Sequence, residues 1–181
     1  MTQTYIALLR GVNVGGKNRL PMAGLVEICC AAGCLEVRTY IQSGNIVFRA
    51  APSAAVGRAE AISAGIAGRF GFRPPVVLRS ADEMDAILHA NPFVDAGMPE
   101  ERLHVLFLKD TPDSARITAL DSQRSTPDTF AVQGRNIYLY LPNGAGQTKL
   151  TNAYFDAKLA TIGTSRNWRT VAKLAEMARD L

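Results

Sequence analysis

The sequence predicts an α+β protein made of two tandem β-α-β-β-α-β halves with antiparallel sheets, followed by an additional helix. Three observations predict it. Short β-branched or alternating runs recur between helical stripes in the same order twice along the 181 residues. In each half two such runs are separated only by turn residues, so they pair as a hairpin. The hydrophobic content of 48% is enough for one large core or two small ones.

The first half opens with Tyr5-Ile6-Ala7-Leu8-Leu9, a buried strand over residues 4–9. Pro21 suits the first turn of a helix. Leu25, Ile28, Cys29 and Ala32 follow at helical spacing, and Gly33 stops it. Residues 36–42 alternate and are β-branched, Ser43-Gly44-Asn45 is a turn, and Ile46-Val47-Phe48 is the returning strand. Pro52-Ser53 opens a helix whose stripe is Val56, Ala59, Ile62, Ile66 and Phe70, and Val76-Val77-Leu78 is a fourth strand. This order is a split β-α-β unit, the ferredoxin-like plait. Its sheet packs both helices on one face. The other face is then left to solvent, to a partner or to a ligand. Residues 1–80 form this first subdomain.

Ser80-Ala81-Asp82-Glu83 is a capping box that starts a helix carrying Met84, Ile87 and Leu88, and Asn91-Pro92 ends it. Residues 81–101 read as a connector. Residues 102–181 repeat the element order as a second ferredoxin-like subdomain. Residues 103–108 are a strand, and Thr111-Pro112 caps a helix with Ile117 and Leu120 on its apolar side. Residues 129–132 and 136–140 pair across Gln133-Gly134-Arg135. A polar loop at residues 142–146 leads to a helix with Leu150, Tyr154, Phe155 and Leu159. Its Lys149 reads as a solvated side chain. The fourth strand is faint; only residues 160–164 could supply it. The last helix starts at Asn167 and carries Trp168, Val171, Leu174, Ala175 and Ala178.

Charge is uneven. The net +4 divides into +6 over residues 1–80 and −2 over residues 81–181. Basic surface is therefore expected on the first half, which suits an anionic partner. No run of 18 apolar residues is present, so no membrane span is expected. The first residues lack a basic segment followed by an apolar core and do not read as a signal peptide. Cys29, Cys30 and Cys34 fall in one helical pattern and form no disulfide framework. They read as small buried hydrophobes of a reducing, cytoplasmic protein rather than as a metal site. His89 and His104 stand alone, so no metal ligand set is expected.

The candidate site is the loop Arg10-Gly11-Val12-Asn13-Val14-Gly15-Gly16-Lys17-Asn18-Arg19. Its glycines permit positive φ and close backbone approach, and its cations and amides could hold an anion. Gly11 to Lys17 satisfies the spacing G-x-x-x-x-G-K, but Asn18 stands where a phosphate-binding P-loop needs Ser or Thr for Mg²⁺. A nucleotide hydrolase of that class is therefore disfavoured. Ser43 and Asn45 lie in the hairpin turn and could also hydrogen-bond a ligand. Arg166 and Asn167 precede the last helix; Asn167 or Ser165 suits its N-cap, and Arg166 could grip a carboxylate or phosphate. The candidate ligand contacts are thus Arg10, Asn13, Gly15, Gly16, Lys17, Asn18, Ser43, Asn45, Arg166 and Asn167. They form one pocket only if the loops at residues 10–19, 42–45 and 164–168 converge.

Several of these stretches resemble one family. Residues 5–18, Arg38-Thr39-Tyr40-Ile41-Gln42-Ser43-Gly44-Asn45-Ile46-Val47-Phe48, Asn91-Pro92-Phe93 and Thr164-Ser165-Arg166-Asn167-Trp168-Arg169-Thr170-Val171 are similar to signatures of the bacterial domain of unknown function family 1697. The resemblance implies two ferredoxin-like subdomains and carries no activity. No catalytic set or cofactor motif emerges: there is no G-x-S-x-G, no H-E-x-x-H, and no acid in the glycine-rich loop. The expected function is binding of an anionic, nucleotide-like or other phosphate-bearing small molecule. Alternatives are a small-molecule enzyme of unknown reaction and a protein-interaction module. Nucleic acid is a less favoured partner, because the strands lack exposed RNP aromatics.

Overall fold

Residues 3–9 lie at the centre of the first sheet. We describe all 181 residues from a computed structural model. β1 (Gln3–Leu9) bonds β3 (Asn45–Ala50) on one side and β4 (Val76–Ser80) on the other, both antiparallel. β2 (Leu35–Tyr40) pairs with β3 at one edge, giving the order β2-β3-β1-β4. Because side chains alternate across a strand, Tyr5, Ala7 and Leu9 share a face with Ile46, Phe48, Val76 and Leu78. That face forms one core with Leu25, Ile28 and Cys29 of α1 (Met22–Ala31) and Ile62 and Ile66 of α2 (Ala55–Phe70). The alternate residues Ile6, Leu8, Val47 and Val77 are buried as well, and so is Arg79. The helix-free face of this sheet is therefore not a solvent-exposed platform, which removes one of the uses the sequence left open for it.

The second sheet is built the same way. β5 (Leu103–Leu108) lies between β7 (Asn136–Tyr140) and β8 (Gly163–Asn167), and β6 (Thr129–Gln133) pairs with β7 to give β6-β7-β5-β8. Leu106, Leu108, Ile137 and Leu139 form a core with Tyr154, Phe155 and Leu159 of α6 (Asn152–Leu159), and Ile117 packs against it. The Phe155 ring meets Phe130 and Tyr154 edge-on at 5.5 and 5.1 Å, a favoured aromatic geometry.

Helix starts follow local chemistry. At α3 (Ala81–His89) the capping box is formed: the Ser80 N–H donates to Glu83 and the Glu83 N–H donates to Ser80 Oγ. Asn91 caps the single turn α4 (Pro92–Asp95). α5 (Ser114–Thr118) is shorter than its sequence pattern implies and starts later, capped by Asp113 rather than by Thr111. α7 (Trp168–Arg179) is capped by Asn167, whose Oδ1 accepts from the Thr170 N–H at 2.8 Å.

The fourth strand of the second half differs from expectation. It runs over Gly163–Asn167, three residues beyond the expected segment 160–164. Ala160 has φ +53° and ends α6, so the chain cannot extend until Gly163. Strand β8 is a polar edge strand with a single partner, which hides it from a hydrophobicity pattern. The segment 164–167 is therefore ladder, not loop.

The chain divides into two compact units, Met1–Asp85 with Lys173–Leu181, and Ala86–Ala172. The divisions fall inside α3 and α7, whereas the sequence places them around a connector at residues 81–101. Within the first unit, Arg179 makes an ion pair with Asp85 at 3.7 Å. No helix is long and apolar enough to cross a membrane.

Candidate functional site

The glycine-rich segment is a miniature hairpin. Val14 and Lys17 form an antiparallel bridge, and the Lys17 N–H donates to the Val14 carbonyl at 3.0 Å. Gly15 and Gly16, at φ +57° and +74°, fill the two central positions of a turn that needs positive φ at both. One step further out, the Asn13 N–H donates to the Asn18 carbonyl at 3.1 Å, and both asparagines are left-handed, at φ +54° and +52°. Asn tolerates that region better than other side chains.

The two asparagine amides are committed to this shape. Asn13 Nδ2 donates to the carbonyls of Leu20 (3.0 Å) and Gln42 (2.7 Å), and its Oδ1 accepts from the Leu20 N–H (2.8 Å). Asn18 Nδ2 donates to the Gly11 carbonyl at 2.8 Å. Sequence reasoning counted both residues among ligand contacts; the geometry gives their amides a scaffolding task. Beneath them Val12 and Leu20, each 1% exposed, anchor the loop to the core. A Cβ on Gly44 would stand 2.7 Å from Leu9 Cβ and Val12 Cγ2, so the hairpin connection at residues 41–44 packs directly on the base of this loop.

That second connection is also internally bonded. Asn45 is fully buried, and its Nδ2 donates to the Tyr40 carbonyl (3.1 Å) and Ser43 Oγ (2.8 Å). Ser43 and Asn45 therefore close the turn rather than offer a polar tip. Ile41 stands 52% exposed at φ +47°, a conformation that disfavours a β-branched residue. Val14, 64% exposed, lies on the neighbouring tip.

Among the cations, Lys17 and Arg19 are exposed and make no ion pair. The Arg10 N–H donates to the Pro75 carbonyl at 3.0 Å, and its side chain is half-buried. Arg19 was absent from the contacts chosen by sequence, although it belongs to the same basic segment. The structure thus joins the loops at residues 10–19 and 41–45.

Arg166 and Asn167 belong to the second unit. Arg166 lies on β8 opposite Val105, and donates through Nη1 to Thr164 Oγ1 (2.9 Å) and its neighbour Ser165's carbonyl (2.8 Å). Burial pushes its guanidinium down to about 10. It is a partly exposed residue of the edge strand β8, and Asn167 is the cap of α7. Their geometry is structural, in contrast to the surface anion grip considered from sequence.

The second unit also contains a polar cleft that sequence reasoning missed. Its volume is about 400 Å³, and it opens between residues 123–128 and residues 143–149. The available signal was two long polar connections, one carrying Ser125-Thr126-Pro127-Asp128 and the other Gly144-Ala145-Gly146-Gln147-Thr148-Lys149.

Comparison with known proteins places this chain. No curated protein matches it. Among solved structures, it is similar to the conserved bacterial protein SP0830 from Streptococcus pneumoniae, with 24% sequence identity over 99% of each chain and a TM-score of 0.76. At that identity the likeness shows the fold alone. A family model described as protein of unknown function (DUF1697) matches residues 1–138, so the chain belongs to the DUF1697 family.

Proposed function

We propose that this protein binds a small phosphate-bearing anion at the hairpin loop of residues 10–19. The observation that carries the reading is the exposure of Lys17 and Arg19, without ion pairs, on a loop held in shape by the Asn13 and Asn18 amides. A loop ordered before binding loses little conformational freedom when the ligand arrives. Lys17 acts as a point charge and Arg19 as a planar fork for phosphate oxygens. Arg10 adds positive potential at the root of the loop. No acid in the segment opposes them. The arrangement holds an anion and supplies no general base, so binding is favoured over turnover.

A nucleic-acid ligand receives less support. An RNA-binding sheet of this order stacks bases on its open face, and here Ile6, Leu8 and Val47 are buried on that face. The sheet orders β2-β3-β1-β4 and β6-β7-β5-β8, with two helices following the split β-α-β pattern, support a tandem ferredoxin-like reading. Three unbridged cysteines support a cytoplasmic location.

Thermal stabilisation by ADP and by inorganic pyrophosphate, at low and at moderate salt, tests the site. Lys17→Ala should weaken the binding behind that stabilisation roughly tenfold, the effect of one charge-assisted contact. Rising salt should weaken it further. Equal stabilisation of the wild type and Lys17→Ala would exclude the loop.

A further inference from the structure

The second unit carries a polar cleft lined by residues 123–128 and 143–149. Its two walls are stitched together. Arg124 Nε donates to the Lys149 carbonyl at 3.1 Å, and the Lys149 N–H donates to Ser125 Oγ at 2.9 Å. The Ser125 hydroxyl donates to Asp128 Oδ2 at 2.7 Å and lies 3.5 Å from Thr148 Oγ1. The Asp128 N–H donates back to the Ser125 carbonyl at 2.7 Å. Asp128 is 6% exposed, although it lines the opening.

Arg124 is positioned by more than one contact. Its guanidinium carbon stands 4.2 Å from the centroid of the Tyr154 ring, a cation–π distance. The ring is fixed in turn, because its hydroxyl oxygen accepts from the Asp121 N–H at 3.0 Å and it packs in the core. With one face on tyrosine and Nε on a carbonyl, the Nη groups are left without a partner in the chain. Lys149 likewise spends its backbone on the stitching and leaves Nζ unpaired. Two cations with unspent donors therefore border a cleft that also holds a buried carboxylate.

The remaining lining selects the ligand class. Gln123, Asn143 and Gln147 contribute amides, which both donate and accept. Asp128 supplies an acceptor for a ligand hydroxyl. Apart from Pro127 the wall is polar, and no aromatic face opens into it, since Tyr154 lies behind Arg124. A nucleobase would find nothing to stack on. A volume of about 400 Å³ accommodates a small metabolite. We infer that this cleft binds a phosphorylated sugar or similar polyhydroxylated phosphomonoester, with the phosphate on Arg124 and Lys149 and the hydroxyls on Asp128 and the amides.

Calorimetric titration of the full chain with ribose 5-phosphate, ribose and inorganic phosphate tests this. Ribose 5-phosphate should bind, and each fragment alone should bind at least roughly tenfold more weakly, because each forfeits one half of the contacts. Lys149→Gln should weaken the ester roughly tenfold through loss of one charge-assisted contact, and its melting temperature should stay at the wild-type value. Arg124→Gln should do the same, but it also removes the bond to the Lys149 carbonyl, so Lys149→Gln is the decisive variant. In a Lys17→Ala background, where the loop of the first unit is impaired, ribose 5-phosphate should still bind at the cleft. The inference is overturned by an absence of ribose 5-phosphate binding, by full binding in Lys149→Gln, or by inorganic phosphate binding as tightly as the ester. Binding lost in Lys17→Ala but kept in Lys149→Gln would overturn it while assigning the ligand to the loop of the first unit.

Discussion

Replacing Asn13 by alanine tests whether the basic loop is a built structure or a solvated connection. The side chain makes three hydrogen bonds, to the Leu20 carbonyl, the Leu20 N–H and the Gln42 carbonyl. The two at Leu20 are partly buried, and the third is exposed. At about 1 kcal/mol for each sheltered bond, and less for the exposed one, their loss costs about 2 kcal/mol. Alanine must also adopt φ +54°, which adds about 1 kcal/mol. Asn13→Ala should therefore destabilise the protein by about 3 kcal/mol. Asn13→Gly removes the same hydrogen bonds but relieves the backbone, so it should cost about 1 kcal/mol less than alanine. Urea unfolding, monitored by circular dichroism and by fluorescence of the one tryptophan, reads both differences as midpoint shifts at constant slope. A midpoint for Asn13→Ala within error of the wild type would refute the scaffolding role. Equal midpoints for the alanine and glycine variants would refute the backbone part of the argument alone.

Two further outcomes follow from the same geometry. Gly44→Ala should destabilise by about 2–4 kcal/mol, since a Cβ would meet Leu9 and Val12 at 2.7 Å and the backbone stands at φ +74°; urea unfolding checks it, and a neutral result would contradict the packing of the two loops. His104 is held below its ordinary value by burial, so the unfolded chain takes up the proton first. Its contribution to stability is complete above about pH 6.5 and is lost as pH falls below that value. His104→Gln should flatten that part of the stability–pH curve, and an unchanged slope would count against it.

Much of this architecture was legible because its signals are local. The unbroken apolar run Tyr5–Leu9, the helical stripe through Ile62 and Ile66, and the Ser80–Glu83 capping box each carry a local cause. The site was less legible because a polar side chain in sequence does not say which groups it will satisfy. Asn13 and Asn18 read as ligand contacts, yet their amides bond carbonyls of the loop and of Gln42. Asn45 is polar and wholly buried, a result of a turn folding over it that no local pattern encodes. Arg166 sits in a strand whose neighbours Thr164, Ser165 and Asn167 carry no β pattern.

The two halves nevertheless repeat in detail that element order alone does not display. In the first, the N–H groups of Leu9 and Arg10 bond the carbonyls of Gly44 and Pro75; in the second, Leu108 and Lys109 bond Arg135 and Ile162. Arg79 faces Ile6 and is followed by the cap Ser80, while Arg166 faces Val105 and is followed by the cap Asn167. Aligning each arginine with the helix cap that follows it would have found β8 from sequence. Against this common frame the connection after the first strand stands out. Residues 109–113 carry the second half directly to α5, whereas residues 10–21 of the first half build a hairpin on left-handed asparagines and two glycines before α1 begins. The second half closes the same sheet order without such a loop, so closure of the sheet does not explain it. Elaborated loops on rigid frames are where binding residues concentrate. Lys17 and Arg19 are thus the first residues to test for function, and Arg166, hydrogen-bonded within β8, a residue to test for stability.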